Sequence, residues 1–464
     1  MSLTVYNSMT HTKEPFETIE PGVVRMYVCG VTVYSDAHIG HARAFITFDI
    51  IRRYLEWVGY TVHHAQNFTD VDDKIINRAR DLGITEEELT EQLISDWAEE
   101  TRALNIIPAT VYPRATQEIP EIIEMIEGLI RLEHAYPVQG GDVNYRVSSF
   151  EEYGKLSGRK LDDMQAGARI EVDLRKEHPM DFALWKAAKP GEIAWDSPWG
   201  PGRPGWHIEC SVMALQHLGN RLDIHGGGED LVFPHHENEI AQSEAFPENR
   251  PFARYWMHNG LLQFSGDKMS KSIGNLINIR DLIANGDARS FRLMALQSVY
   301  RAPLNYTDEG HEAARRGLER LDLAMRGFDE SADGASAETE AALADAERRF
   351  REAMDDDFNT PVAVSVLFDL SRTANRAEGA DKSAAQAKLR ELADVLGLEL
   401  RAPEASGAGD AGPFIDLLLE IRNELRAQKD WALSDAIRDG LAERGVTVED
   451  SPTGATWRRR DKTQ

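Results

Sequence analysis

The sequence is short of cysteine, of long apolar runs and of positive charge, and each shortage disfavours a class of protein. Two cysteines, Cys29 and Cys210, among 464 residues cannot build a disulfide framework and fit a reducing, cytoplasmic setting. No run of about 18 apolar residues occurs, so no membrane span is expected. The N-terminus lacks the basic-then-apolar pattern of a secretory signal. The formal net charge of −26 argues against a general polyanion binder, although a local basic face can still bind nucleic acid.

Near the N-terminus the sequence contains a βαβ pattern. Val23–Gly30 is typical of a buried strand that ends in a glycine turn, and Tyr60–Thr69 predicts the next strand. Between them, apolar residues spaced three and four apart predict an amphipathic helix that starts near His38 and is closed by Gly59. Such a unit implies a parallel sheet with a right-handed crossover. Ligands of such sheets bind at the carboxyl ends of the strands.

The rest of the chain changes character along its length. Pro137–Gly205 contains short strand-like pieces and a Pro/Gly/Trp-rich end, and we interpret it as an insertion into the sheet domain. Beyond Asn278 the pattern is helical throughout, and Arg401–Gly412 is predicted to be a linker. A chain of this length exceeds one hydrophobic core, so two to four domains are expected.

The stretch from Leu222 to Glu239 combines metal-ligating residue types with helical spacing. It predicts a strand (Leu222–His225), a triple-glycine turn (Gly226–Gly228) and a helix opened by Pro234. The glycine run either permits close approach of a nucleotide or merely forms a tight turn; the sequence leaves both open.

In that helix, His235 and Glu239 stand four residues apart and share one face. An imidazole and a carboxylate so placed form half of a zinc site. The adjacent His236 is expected to point about 100° away and to share a face with Ile240 instead.

Two further motifs have the chemistry of phosphate binding. His38-Ile39-Gly40-His41, the HIGH motif, lies at a predicted helix N-terminus, where free N–H groups and the helix dipole favour anions. The KMSKS motif (residues 268–272) places Lys268 and Lys271 with two hydroxyls on a loop that can stabilise a leaving pyrophosphate. Either motif alone is weak, because surface histidines and polar loops are common. Both together, in this order around a βαβ unit, form a strong pattern.

With these motifs, the chain resembles the cysteinyl-tRNA synthetase family of class I aminoacyl-tRNA synthetases over essentially its whole length. The segments that carry the resemblance are YVCGVTVYSDAHIGHAR, NFTDVDDKII, GRPGWHIECS, DIHGGGEDLVFPHHENEIAQSEA, GDKMSKSIGN, DDFNTP and GATWRRR. The implied fold is α/β: a Rossmann-like parallel-sheet catalytic domain with an insertion, then an all-α helical bundle and a small C-terminal anticodon-binding module. The expected segments are 1–136 and 206–264 (catalytic halves), 137–205 (connective insertion), 265–310 (KMSKS loop and stem-contact region), 311–400 (bundle) and 401–464 (linker and anticodon module).

The resemblance also implies roles for individual residues. One Zn²⁺ is expected on Cys29, Cys210, His235 and Glu239. The amino-acid pocket is expected to include Gly30, Thr69, Trp206 and Asp230. ATP, with Mg²⁺ on its phosphates, is expected at His38, Gly40, His41 and Lys271, and the catalytic residues are expected to be His38, His41, Lys268 and Lys271. The tRNA anticodon is expected at Arg426, Trp431, Asp435 and Asp450.

The implied reaction is the ATP-dependent activation of L-cysteine to cysteinyl-adenylate and its transfer to the 3′ end of tRNA(Cys), by a cytoplasmic monomer. Serine is the hardest competitor, since pocket shape separates such near-isosteres by only about 1–3 kcal/mol. Zn²⁺ binds a thiolate far better than a hydroxyl, so direct coordination would supply the missing discrimination. The alternatives are a ligase that joins cysteine to an amino-sugar, and a non-catalytic tRNA-binding paralogue. For the two cysteines alone, the competing interpretation is that they are small buried hydrophobes.

Overall fold

A computed structural model of the chain describes residues 2–160, 175–264, 267–268, 277–329, 334–402, 412–451 and 454–459. It forms two compact units, one of Met1–Ala324 with Phe328–Leu400 and one of Arg401–Gln464 with Met325–Gly327. Within the described ranges, none of the helices combines the length and apolarity that a bilayer crossing requires. Residues 269–272 of the KMSKS motif, which include Lys271, lie outside the described residues.

In the first unit, the described strands and helices are interspersed along the chain up to the strand Leu304–Tyr306, and only helices follow it. Its strands are β1 (Thr4–Asn7), β2 (Thr12–Pro15), β3 (Val23–Thr32), β4 (Thr61–Thr69), β5 (Ala135–Pro137), β6 (Val143–Tyr145), β7 (Phe182–Ala187), β8 (Gly202–Pro204), β9 (Leu222–Gly228), β10 (Ala253–Asn259), β11 (Leu262–Phe264), β12 (Asp267–Lys268) and β13 (Leu304–Tyr306). Its helices are α1 (Ile39–Trp57), α2 (Asp73–Leu82), α3 (Glu86–Ala103), α4 (Ile119–Arg131), α5 (Trp206–Leu218), α6 (Glu237–Glu244), α7 (Ile279–Ala284), α8 (Ala288–Leu296), α9 (Asp308–Ala324), α10 (Ala337–Asp355), α11 (Thr360–Arg376) and α12 (Gly379–Val395).

A four-stranded parallel sheet in the order β10-β9-β3-β4 organises the first unit. Val24, Met26 and Val28 of β3 are fully buried, and so is the intervening Tyr27, as expected for a parallel strand covered on both faces. The chain leaves β3 through α1 to β4 on one side and returns to β9 on the other. The crevice between the carboxyl ends of β3 and β9 is therefore the topological switch point, where open α/β sheets bind their ligands.

The predicted βαβ unit and the insertion are both present. Gly59 follows α1 with a φ of +106°, which suits glycine. The insertion forms a separate antiparallel sheet in the order β5-β6-β7-β8. The predicted α/β class, with helices after the sheet, is confirmed.

Three sequence predictions about local structure are wrong. The first strand does not end in a turn at Gly30, because β3 continues through this residue to Thr32. Gly226–Gly228 is the end of β9 and pairs with β10, so the glycines are strand residues and do not form a turn. The pattern beyond Asn278 is not helical throughout, because β13 pairs with β11 and the second unit contains a hairpin. The described part of that unit contains α13 (Gly412–Ala427), α14 (Trp431–Glu443), β14 (Val446–Ser451) and β15 (Gly454–Arg459).

Candidate active site and metal centre

The four residues expected to ligate a metal meet beside the carboxyl end of β3. Cys29 lies on β3 and Cys210 on α5. His235 lies in the turn Val232–His236 just before α6, and Glu239 lies in the first turn of α6. His235 Nε2 is 3.0 Å from Glu239 Oε1, and Cys29 Sγ is 3.5 Å from the same oxygen. One ligand atom from each of the four lies within 4.8 Å of the others, and none of the side chains is more than 7% exposed. The fold thus places two cysteines that are distant in sequence beside the segment that carries the other two candidate ligands.

His236 does not point away from Glu239 as the helical spacing predicts. Val232–His236 forms a wide turn of π-helical geometry in which Phe233 is extended (φ −140°, ψ 132°), so regular helical angles do not apply. His236 Nε2 therefore lies 3.9 Å from Glu239 Oε1, although His235 is closer. A second, overlapping set of ligand atoms within 4.8 Å consists of Cys29, His225, His236 and Glu239.

Sequence reasoning missed a layer of histidines behind this cluster. His225 Nε2 lies 2.9 Å from Glu239 Oε2, which leaves the other carboxylate oxygen for a metal. His236 Nδ1 lies 2.8 Å from His258 Nε2, whose ring in turn lies 2.8 Å from the Ser8 hydroxyl. Burial lowers the pKa of His258 to about 3, so this ring is neutral. Two of these histidines stand on neighbouring parallel strands near their carboxyl ends, a placement that could have signalled them.

The electrostatics of the cluster favour a cation. The hydrogen bond from Cys29 lowers the pKa of Cys210 to about 6, even though burial acts to raise it. Burial also acts to raise the pKa of Glu239, but His225 and His235 together lower it to about 2. Burial raises the pKa of Cys29 well above its usual range. The cluster thus contains a buried carboxylate, Glu239, and a thiol with a lowered pKa, Cys210. The second thiol, Cys29, needs a nearby positive charge to ionise at neutral pH.

The glycine run permits close packing of side chains against β9. A Cβ on Gly226 would stand 2.2 Å from the Phe48 ring, and one on Gly227 would stand 3.0 Å from Cε1 of His236. One on Gly228 would stand 2.6 Å from Oδ1 of Asp230. The glycines therefore let the α1 core and the histidine layer approach the strand directly.

Gly30 and Thr69, expected in the amino-acid pocket, are joined through Asn67. Gly30 N–H donates to Asn67 Oδ1 at 2.9 Å, and Asn67 Nδ2 donates to the Thr69 hydroxyl at 3.2 Å. A Cβ on Gly30 would stand 1.7 Å from the Asn67 carbonyl oxygen, at the point where the β3–β4 register shifts. Only glycine fits there.

Trp206 packs against the cluster, whereas Asp230 lies on the turn that follows β9. Trp206 begins α5, is 36% exposed and stacks on His235 with ring centroids 4.3 Å apart. His235 Nδ1 also lies 3.0 Å from His207 Nδ1. Asp230 is exposed on the short helical turn Glu229–Leu231 after β9. The indole is therefore a wall of the metal site with one face open.

The HIGH motif lies at the start of α1, as predicted, and its histidines cap this helix. The His38 backbone N–H donates to His41 Nδ1 at 3.2 Å, and the two rings stack with centroids 3.8 Å apart. Because Nδ1 of His41 accepts this bond, its neutral ring carries the proton on Nε2. That N–H is a donor suited to a phosphate oxygen. Gly40 lies between the two histidines in the first turn.

Backbone hydrogen bonds join the chain after the KMSKS motif to the HIGH motif and the residue before it. Ile39 N–H donates to the Ile277 carbonyl, and Ile279 N–H donates to the Ala37 carbonyl, both at 3.0 Å. Lys268 is described as the last residue of β12, which pairs with β11, whereas Lys271 lies outside the described residues. The chain at Ile277–Ile279, downstream of the KMSKS motif, thus lies beside the start of α1.

The second unit brings some expected anticodon residues together. The Arg426 guanidinium is 5.8 Å from the Trp431 ring centroid and 3.3 Å from Asp450, and Trp431 is 54% exposed. Asp450 also accepts two hydrogen bonds from the buried Arg422, at 2.6 and 3.0 Å. Asp435 pairs instead with a neighbouring arginine on α14. The two carboxylates thus hold arginines in place, and Trp431 offers an open face.

Comparison with family models covers most of the chain. Residues 15–316 match the class I (C) tRNA synthetase catalytic domain, residues 349–401 the DALR domain, and residues 409–458 the cysteinyl-tRNA ligase anticodon binding domain.

Relatives and solved structures agree with these models. The chain is 50% identical to a cysteine–tRNA ligase of Shewanella loihica, over 99% of this chain and 100% of the relative. It is 52% identical to one of Alkalilimnicola ehrlichii, over 98% and 100%. Its fold is similar to that of methionyl-tRNA synthetase of Mycobacterium tuberculosis in complex with methionyl-adenylate, with a TM-score of 0.55 and 17% identity over 86% of this chain and 94% of that one. The chain therefore belongs to the cysteinyl-tRNA synthetase family of class I aminoacyl-tRNA synthetases.

Proposed function

We propose that the buried tetrad Cys29, Cys210, His235 and Glu239 holds one Zn²⁺ and that this ion selects L-cysteine for activation and transfer to tRNA(Cys). The observation that carries the proposal is the convergence of four zinc-type ligand atoms within 4.8 Å at the switch point of the sheet. The donor set fits zinc, since two sulfurs, one imidazole and one carboxylate are all ligands that it accepts. When bound, Zn²⁺ would supply a Lewis acid that prefers thiolate to hydroxyl.

The chain's own residues would shape the pocket around the amino acid. Trp206 packs on His235 and closes one side, which excludes larger side chains. Thr69 is 3% exposed and held by Asn67, so its hydroxyl has a fixed position. With Gly30 and the exposed Asp230, these groups would orient the amino and carboxylate groups of the substrate, which places its carboxylate for attack.

ATP would lie across the carboxyl edge of the sheet with its phosphates at the start of α1. The His41 Nε2–H would bind a phosphate oxygen beside His38 and Gly40, at the helix end where the dipole favours anions. The cysteine carboxylate attacks the α-phosphorus in line and pyrophosphate leaves, stabilised by Lys268, Lys271 and Mg²⁺ on the phosphates. This step needs positioning and electrostatics, and no protein nucleophile.

The acceptor would be recognised by the second unit. Trp431 offers an exposed ring and Arg426 a guanidinium plane, both suited to stacking on unpaired bases. Asp450 and Asp435 would act by orienting arginines. The cytoplasmic location, the monomeric state and the segment boundaries at residues 136, 205, 264, 310 and 400 stay predictions.

The proposal is tested first by cysteine-dependent ATP–pyrophosphate exchange. Exchange with cysteine is expected, because adenylation needs only ATP and the amino acid. The same enzyme is then given tRNA(Cys) and, separately, an amino-sugar acceptor, and only the tRNA is expected to be cysteinylated. Absence of exchange would favour a non-catalytic paralogue, and cysteinylation of the amino-sugar alone would favour the ligase alternative.

A further inference from the structure

Arg280 is the second residue of α7, eight positions after the last residue of the KMSKS motif. Its guanidinium contacts three carboxylates: Asp36, with Nη1 3.7 Å from Oδ1; Glu100, with Nε 3.4 Å from Oε1; and Asp96. Asp36 lies in the loop before α1, whereas Asp96 and Glu100 lie on α3. One cation therefore joins three segments of the first unit.

The carboxylates around Arg280 need a positive charge. Glu100 is 3% exposed, and its burial raises its pKa to about 7 even though Arg280 acts to lower it. Asp96 and Asp36 add negative charge on the same side and raise that pKa further. A buried carboxylate beside two others is costly unless a cation pairs with it.

The backbone around Arg280 connects the two ATP motifs. The hydrogen bonds between Ile39 and Ile277, and between Ile279 and Ala37, align the chain after the KMSKS motif with the start of α1. Arg280 follows this short pairing directly. Its side chain is 49% exposed, so it fills no core space, and its contribution is to hold the two segments in register.

We propose that Arg280 is a positioning residue for adenylation, which holds the chain at Ile277–Ile279 against the start of α1. The HIGH motif lies at this helix start, so a fixed pairing there would fix the position of His38 and His41. The inference rests on the proposed role of the two motifs in ATP chemistry. A purely structural ion pair would affect stability alone, whereas a positioning role affects the rate of the chemical step.

The test is Arg280→Gln in the full-length, zinc-loaded enzyme, measured by cysteine-dependent ATP–pyrophosphate exchange. We expect kcat to fall about 10- to 100-fold, the effect of a displacement near 1 Å at the phosphates. The KM for cysteine should stay within about twofold, since the cysteine pocket is untouched. Arg280→Lys should regain part of the rate, because it keeps the charge but not the three-way contact.

The matched control is Arg315→Gln. The Arg315 side chain is 45% exposed and also pairs with two carboxylates, Asp287 and Glu312, but lies on α9. It should keep the full exchange rate. In a double variant, Asp36→Asn should cost nothing further in the Arg280→Gln background, because Asp36 acts through Arg280.

A normal kcat in Arg280→Gln, or an equal loss in Arg315→Gln, would overturn the positioning role. Additive losses from Asp36 and Arg280 would overturn it as well. Lys271→Ala separates this inference from the proposed function: full exchange in that variant would overturn the assignment of the KMSKS loop itself, whatever Arg280 does.

Discussion

Replacing Cys210 by alanine is expected to remove the bound zinc and to reduce the preference for cysteine over serine to about 10- to 200-fold, the range that pocket shape alone supplies. Cys210 provides one of two sulfurs in a tetrad whose four ligand atoms lie within 4.8 Å. Loss of one ligand leaves three, with the buried Glu239 and Cys29 still facing each other. The measurements are zinc per chain by elemental analysis and kcat/KM for cysteine and serine in ATP–pyrophosphate exchange.

The matched control for that variant is Val212→Ala. Val212 is buried two residues further along α5 and is 3% exposed, so the substitution removes core volume without removing a ligand. It should lower stability by about 1–3 kcal/mol and keep its zinc. Stoichiometric zinc in Cys210→Ala would show that Cys210 is not a ligand.

His41→Ala is expected to slow adenylation by about 10²- to 10³-fold, the cost of losing one preorganised donor to a developing negative charge. His41 Nδ1 accepts the His38 N–H, which leaves Nε2–H as the donor at the start of α1. The KM for cysteine should be nearly unchanged, because the proposed amino-acid pocket lies at β3 and α5. Exchange kinetics at varied ATP and cysteine concentrations provide the measurement.

The same variant also loses the helix-capping contact, which should cost about 1 kcal/mol of stability. Thermal unfolding measures this separately from the rate. His63→Ala is the control, since His63 is exposed on β4 and should leave both quantities unchanged. An unimpaired exchange rate in His41→Ala would remove His41 from the ATP site.

The sequence predicted the parts of this protein that depend on regular spacing. The 3–4 periodicity of α1 and the apolar runs of β3 and β4 follow from helix and strand geometry. The four-residue step from His235 to Glu239 also paired the right residues, although His235 lies in the wide turn before α6. The family resemblance then placed Cys29 and Cys210 beside that step. Spacing alone could not have done so, because 180 positions separate the two cysteines.

Other features depend on contacts between distant segments, and spacing gives no sign of them. The wide turn at Val232–His236 brings His236 to Glu239 against the helical rule. Gly226–Gly228 is typical of a turn by composition, yet packing of Phe48 and His236 requires these glycines in a strand.

The strand β14, by contrast, did have a spacing signal. Val446 and Val448 alternate with polar residues, but the helical pattern before them obscured this period of two.

The most direct test of the central claim is zinc K-edge X-ray absorption of the enzyme with and without substrate. We predict two sulfur ligands at about 2.3 Å in the free enzyme, from Cys29 and Cys210. With saturating cysteine the count should rise to three, and with saturating serine it should stay at two. An unchanged count of two sulfurs with cysteine would contradict selection of the substrate through its thiol.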